Sequence, residues 1–210
     1  MQVIEVFADI WCPFTHVGLK TVADQLRIGV RPDARIWVRA WPLEWVNGRA
    51  MDPMAALTHA QELREQISAE LFSRFDASSF PRSTIPALAT AVRAYRHGLE
   101  VGESLSLEIR DSLFERGEDV GDPDVLRRIR KGFGVPDPDP DDYATVAAEW
   151  KEGRDRGVLG SPHFFCGDSS VFCPSLDIAK TGVGEGRVVE RNVNRLGAFL
   201  RECLTEGRQK

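Results

Sequence analysis

The chain has 210 residues, 42% of them hydrophobic, with a formal net charge of −5 and both signs interspersed, enough for one sizeable core or a core with a helical subdomain. The absence of a basic patch argues against nucleic acid as a partner, and the absence of an 18-residue apolar run argues against a membrane span. Met1 leads into an apolar run with no basic segment or long apolar stretch of a leader, so a cytoplasmic protein is expected.

Residues 3–7 are apolar and β-branched and predict a short buried strand. Asp9-Ile10-Trp11-Cys12-Pro13-Phe14-Thr15-His16 follows, and residues 21–28 read as helix, with Pro13 suited to a first turn where its missing N–H costs nothing. Residues 35–41 alternate Ile36, Val38 and Ala40 against Arg35, Trp37 and Arg39, a second strand parallel to the first. Residues 53–156 then carry helical spacing only. A long helix is predicted over 54–75, and others pass through Ile85, Leu88 and Val92, through Leu105, Ile109 and Leu113, and through Leu126 and Ile129 behind an Asp122-Pro123 cap. The Asp-Pro run over 136–141 reads as a helix stop with capping carboxylates, releasing into a helix with Tyr143, Ala147 and Trp150. Gly157 closes this block. Strands over 163–166 and 171–173 predict a hairpin, the glycine-rich residues 182–186 a flexible loop, and residues 188–204 a last helix presenting Val189, Val193, Leu196 and Leu200.

Cys12 sits at a strand-to-helix turn, where unpaired N–H groups and the helix dipole favour thiolate over thiol. A buried inert thiol is the alternative reading. Thr15, one turn into the helix, can offer its hydroxyl to that thiolate. His16 reads either as a general base for Cys12 or as a helix residue facing solvent or the pocket rim, and His163 has an undetermined face. The four cysteines, Cys12, Cys166, Cys173 and Cys203, form no CxxC pair and the four histidines stand apart, which argues against a metal site and, in a cytoplasmic chain, against a disulfide scaffold. Cys166 and Cys173 could face each other across the hairpin as small hydrophobes, or Cys173 could approach the Cys12 pocket; Cys203 reads as structural. Trp11, Phe14, Trp41 and Trp45 could wall a pocket or fill the core.

The order of four segments resembles the DsbA-like group that includes FrnE-type proteins, 2-hydroxychromene-2-carboxylate isomerases and kappa-class glutathione transferases. They are 9–18 around Cys12-Pro13, Trp41-Pro42-Leu43, 112–126, and 157–165 with Ser161-Pro162. The resemblance implies an α/β, thioredoxin-like fold with a large all-helical insertion (51–156) between a βαβ unit and a C-terminal ββα unit, the thioredoxin-like part being 1–50 and 157–210. It implies a cis Pro162 beside Cys12 and a thiol-binding site drawn from Pro13, Phe14, His16, Trp41, Ser161, Pro162 and His163. FrnE-type proteins carry Cys-Pro-Trp-Cys, whereas Thr15 stands here at the second cysteine's position; the isomerase and kappa branches carry serine at the position of Cys12.

The implied activity is monothiol thiol-disulfide exchange by Cys12 with Thr15, on a small-molecule or protein disulfide, with no tightly bound cofactor and with glutathione or another low-molecular-weight thiol as the companion thiol. One alternative is a thiol-dependent transferase or isomerase, against which no Asp-Arg pair follows Val171 closely: Asp177 is the nearest acid and Arg187 the next arginine. A non-catalytic thioredoxin-like binding module is the other. Both monomer and homodimer remain open.

Overall fold

The computed structural model describes residues 2–28, 33–180 and 187–206. β1 (Val3–Ala8) pairs in parallel with β2 (Arg35–Ala40) across α1 (Pro13–Ile28), giving the βαβ unit its apolar alternation predicts. Helices alone then occupy the stretch to β3: α2 (Leu43–Asn47), α3 (Pro53–Gln66), α4 (Ile85–Tyr95), α5 (Leu99–Arg116), α6 (Pro123–Gly132) and α7 (Pro140–Asp155), with one 3-10 turn at Ala77–Ser79. β3 (His163–Cys166) and β4 (Ser169–Phe172) add antiparallel strands, so the sheet runs β2-β1-β3-β4. A separate antiparallel pair, β5 (Leu176–Lys180) and β6 (Arg187–Arg191), precedes α8 (Val193–Glu206).

Caps account for the helix starts. Asp122 accepts from the Asp124 N–H ahead of Pro123, and Asp139 and Asp142 form a reciprocal capping box at α7, the role expected for the acidic run. The active-site helix begins at Pro13, which takes the first-turn position expected of it. Two boundaries differ from expectation. α3 ends at Gln66 rather than running to Phe75, because the chain turns there and Phe72 adopts a left-handed φ of 56°. Val188 and Val189 belong to β6, not to the last helix, and Val193 is 63% exposed; the buried stripe of α8 is Leu196, Phe199, Leu200 and Cys203. The glycine-rich segment 182–186 lies outside the described residues.

One core cluster packs Ile4, Val6, Ala8, Ile36, Val38 and Phe164 under Leu19, Val22 and Leu26 of α1 and Leu196 and Phe199 of α8. The other joins Ile10, Trp11, Val17 and Ala40 to Leu63, Phe72, Leu88, Leu105, Ile109 and Phe114 of the helical block. The helices also cover the outer edge of β2. Its N–H groups that turn away from β1 donate to Glu103 (Ile36, 3.0 Å), Tyr95 (Val38, 2.9 Å) and Glu149 (Ala40, 2.7 Å). An edge strand that would otherwise present unpaired donors is thereby closed by side chains.

The cysteine pairing corrects the sequence reading. Cys166 is disulfide-bonded to Cys203 of α8 with Cα atoms 5.5 Å apart. It cannot face Cys173 across the hairpin, since Cys166 pairs with Ser169 and His163 with Phe172 around a tight Gly167-Asp168 turn, leaving Cys173 beyond the strand. Closing 37 residues of chain removes denatured-state entropy worth about 3–4 kcal/mol. Cys203→Ser is therefore expected to lower the unfolding free energy by about that amount, read in urea denaturation as a reduced midpoint with a somewhat steeper slope, since the uncrosslinked denatured chain exposes more surface.

Candidate thiol site

β1 delivers Asp9, Ile10 and Trp11 to the buried turn, and Cys12 takes the N-cap position of α1, its carbonyl accepting the His16 N–H at 3.1 Å. Pro13 at N1 leaves no unsatisfied donor there. The Cys12 thiol is 5% exposed and donates to the Ser161 carbonyl at 3.2 Å. Ser161 precedes Pro162 through a cis peptide bond. Thr15 is fully buried, with its hydroxyl 2.7 Å from Ser161 Oγ, and Ser161 Oγ in turn accepts the Asp9 N–H at 2.9 Å. When Ser161 donates to Thr15, the Thr15 proton is free for the Cys12 sulfur.

Burial overrides the helix terminus here. It pushes the Cys12 thiol above its ordinary range, and the Asp9 carboxylate adds to the rise, although hydrogen bonds from the Thr15 side chain and the Thr15 and Phe14 N–H groups oppose it. The thiolate expected from position alone is thus replaced by a protonated thiol. Asp9 is itself pushed up to about 6 by burial, against hydrogen bonds from Leu43, Thr84 and Ile10.

The other expected site residues divide. Phe14 is half-buried beside Cys12 and its ring packs on His59 at 5.2 Å. Burial, with Arg187 nearby, holds His59 neutral, down to about 4. His16 faces neither solvent nor the rim: it is 1% exposed between Phe72 and Phe114. Its Nε2–H donates to Glu115 at 2.7 Å and Nδ1 has no partner, so neither nitrogen holds the Cys12 proton. His16, Glu115 and Asp111 bring three ligand-type atoms within 4.8 Å of one another, but Lys20 Nζ already sits 2.9 Å from Asp111 and Glu115 also accepts the Phe72 N–H, so the group is an ion-pair network. Trp41 is buried against Phe7 and Gly153, where a Cβ would come within 2.7 Å of its ring; Trp11 stacks on Phe80 and donates to the Pro81 carbonyl. Both belong to the core, while Trp45 is 37% exposed against Trp150. His163 is buried away from the Cys12 thiol's partners, its ring tilted on Phe165 with centroids 4.5 Å apart, its Nδ1 accepting the Leu159 N–H at 3.1 Å and Arg156 nearby.

Several groups at the site leave only a faint local signal. Arg110, fully buried on α5, donates to Ser106 and to the Asp9 carbonyl, with burial drawing it down to about 10. A cation four residues after Ser106 on the otherwise apolar stripe of Leu105, Ile109 and Leu113 is the trace it leaves in the sequence. An Asp-Arg pair does exist beyond Val171: Asp177 meets Arg195 of α8 at 2.9 Å, and Arg195 also donates to the carbonyls of Cys173 and Leu176.

No curated protein sequence matches the chain. Among solved structures, a putative protein disulfide isomerase from Nitrosomonas europaea is similar over 98% of both chains, at 16% identity and a TM-score of 0.66. The cytosolic disulfide reductase DsbM from Pseudomonas aeruginosa, solved with glutathione, covers 97% of this chain and 99% of its own (14% identity, TM-score 0.61). A 2-hydroxychromene-2-carboxylate isomerase covers 99% of each (11% identity, TM-score 0.62). At these identities the likeness is one of fold. The model of the DSBA-like thioredoxin domain matches residues 3–181, and the chain, with its strand-turn-helix cysteine opposite Ser161-Pro162, belongs to that family.

Proposed function

We propose that the protein is a thiol-disulfide oxidoreductase in which Cys12 is the nucleophile and Thr15 replaces the second cysteine of the motif. The observation that carries this reading is the setting of the Cys12 sulfur, at the helix N-terminus, between the Thr15 hydroxyl and the Ser161 carbonyl. Cys12 sulfur attacks one sulfur of a substrate R–S–S–R′, forming Cys12–S–S–R; R′–S⁻ departs and takes up the Cys12 proton as R′–SH. With Thr15 at its position the helix offers no second thiol, so another thiol must displace R. A site that does not stabilise the thiolate does not stabilise its reduced form, which favours reduction of substrates over their oxidation. The fold shared with DsbM, solved with glutathione, supports a small thiol as companion. The Asp177–Arg195 pair favours a second reading, a thiol-dependent isomerase or transferase in which Cys12 holds the cofactor sulfur by hydrogen bonding.

Turnover of a glutathionylated peptide with excess glutathione separates the two. Cys12→Ser is expected to abolish it; a serine variant retaining the rate would sink the exchange reading. Thr15→Val removes a hydrogen bond to the charged form worth about 1.5–3 kcal/mol, so it should raise the Cys12 pKa by about one to two units. The check is the pH dependence of Cys12 alkylation, whose rate near neutrality should fall at least about tenfold.

Asp9 gives a pH signature. Its folded pKa lies above its unfolded one, so the native state takes up the proton first as pH falls, and stability attributable to this group rises between pH 7 and pH 4. A rise of about two pKa units corresponds to about 3 kcal/mol. Asp9→Asn is expected to lose that pH-dependent gain relative to wild type in urea unfolding, and to speed Cys12 alkylation at neutral pH by removing a like charge.

A further inference from the structure

Cys12 and Cys173 are the free cysteines of the described residues, and both are buried. Cys173 follows β4, and its N–H donates to the Pro162 carbonyl at 3.0 Å, while Cys12 Sγ donates to the Ser161 carbonyl at 3.2 Å. The two cysteines are therefore anchored on consecutive carbonyls of one dipeptide, although 160 residues separate them in sequence. We propose that Cys173 is the resolving thiol of Cys12, closing an intramolecular Cys12–Cys173 disulfide in place of the one that Thr15 forbids. The proposal rests on the exchange reading above and adds to it the identity of the second thiol.

Three further observations meet at this pair. Cys173 adopts a φ of 45°, a left-handed conformation that a cysteine holds only where its surroundings impose it, and such positions gather at functional sites. What imposes it is Arg195, whose guanidinium gathers the carbonyls of Cys173, Pro174 and Leu176. Ser175 is 3% exposed with its hydroxyl unpartnered, and a Cβ on Gly18 of α1 would lie 3.3 Å from that oxygen and 3.5 Å from Pro162. A spare buried donor thus stands beside Pro162 in the loop that carries Cys173. The two sulfurs are close enough to interact: burial first, and then Cys12 whenever it is ionised, pushes the Cys173 thiol up to about 12, with Arg195 opposing.

The steps balance. Cys173 sulfur attacks Cys12 sulfur in Cys12–S–S–R; the Cys12–Cys173 bond forms, the bond to R breaks, and R–S⁻ leaves and takes the Cys173 proton as R–SH. A low-molecular-weight thiol, supplied twice, then reduces the internal disulfide and is released as its own disulfide. The Cys166–Cys203 bond takes no part.

The test uses the full chain, incubated with oxidised glutathione, quenched in acid and digested without reductant for peptide mass spectrometry. Wild type is expected to yield a Cys12–Cys173 linked peptide, with the thiol titre of the unfolded protein falling from two to none. Cys173→Ser and Cys173→Gly, the latter suited to the left-handed backbone, should instead accumulate glutathione on Cys12 with a lifetime longer by about tenfold or more. A wild type that keeps glutathione on Cys12 as long as the variants do, with no linked peptide, overturns the proposal while leaving Cys12 exchange intact. An unmodified Cys12 in all three proteins overturns the exchange reading, and the pair falls with it. The linked peptide is read in wild type and does not depend on how either variant folds.

Discussion

Asp9 is the junction on which the site depends. Its carboxylate accepts the Ile10 and Leu43 N–H groups, its own N–H reaches Ser161 Oγ, and its carbonyl accepts from Arg110. The end of β1, the start of α2, the segment before β3 and the middle of α5 converge on one residue. A fully buried carboxylate is costly unless such donors satisfy it, and the demand for donors is what fixes the four segments in register. Cys12, three residues on, inherits its position from that arrangement and pays for it in acidity, because the same burial and the same charge disfavour its thiolate.

Position and environment therefore act on Cys12 in opposite directions. A helix N-terminus favours the anion, and an apolar, nearly closed setting favours the neutral thiol. Here the second effect is larger, as it is for His16 and His59, both held neutral chiefly by burial. Charge at this site is confined to Asp9, Arg110 and the Glu115 network, while the reactive sulfur and the flanking rings stay uncharged at rest.

What the sequence made legible was local. The strand, the turn and the proline-led helix around Cys12 follow from neighbouring residues, as do the Asp122 and Asp139 caps, since each motif is satisfied within four residues of itself. What stayed hidden was pairing at a distance. The Cys166–Cys203 bond, the Asp177–Arg195 pair and the hold of Arg110 on Asp9 join residues whose spacing carries no pattern. Val189 misled for a physical reason: it continues the three-and-four-residue spacing of Val193, Leu196 and Leu200, yet it is buried from a strand, and periodicity does not record where one element yields to the next. Asp9 lies within the Cys12 motif, but its role depends on Leu43 and Arg110, which only the folded chain brings to it.

The closure of the β2 edge bears on how the molecule comes apart. Glu103, Tyr95 and Glu149 reach that strand from α5, α4 and α7, so the donors of the sheet are satisfied by residues from three separate helices of the insertion. Peeling the helices away strands those donors and opens the cluster that Trp11 and Ala40 share with Leu63 and Phe114. Sheet and insertion consequently form a single cooperative unit, and a sheet stripped of its helices is not a resting point on the way to the unfolded chain.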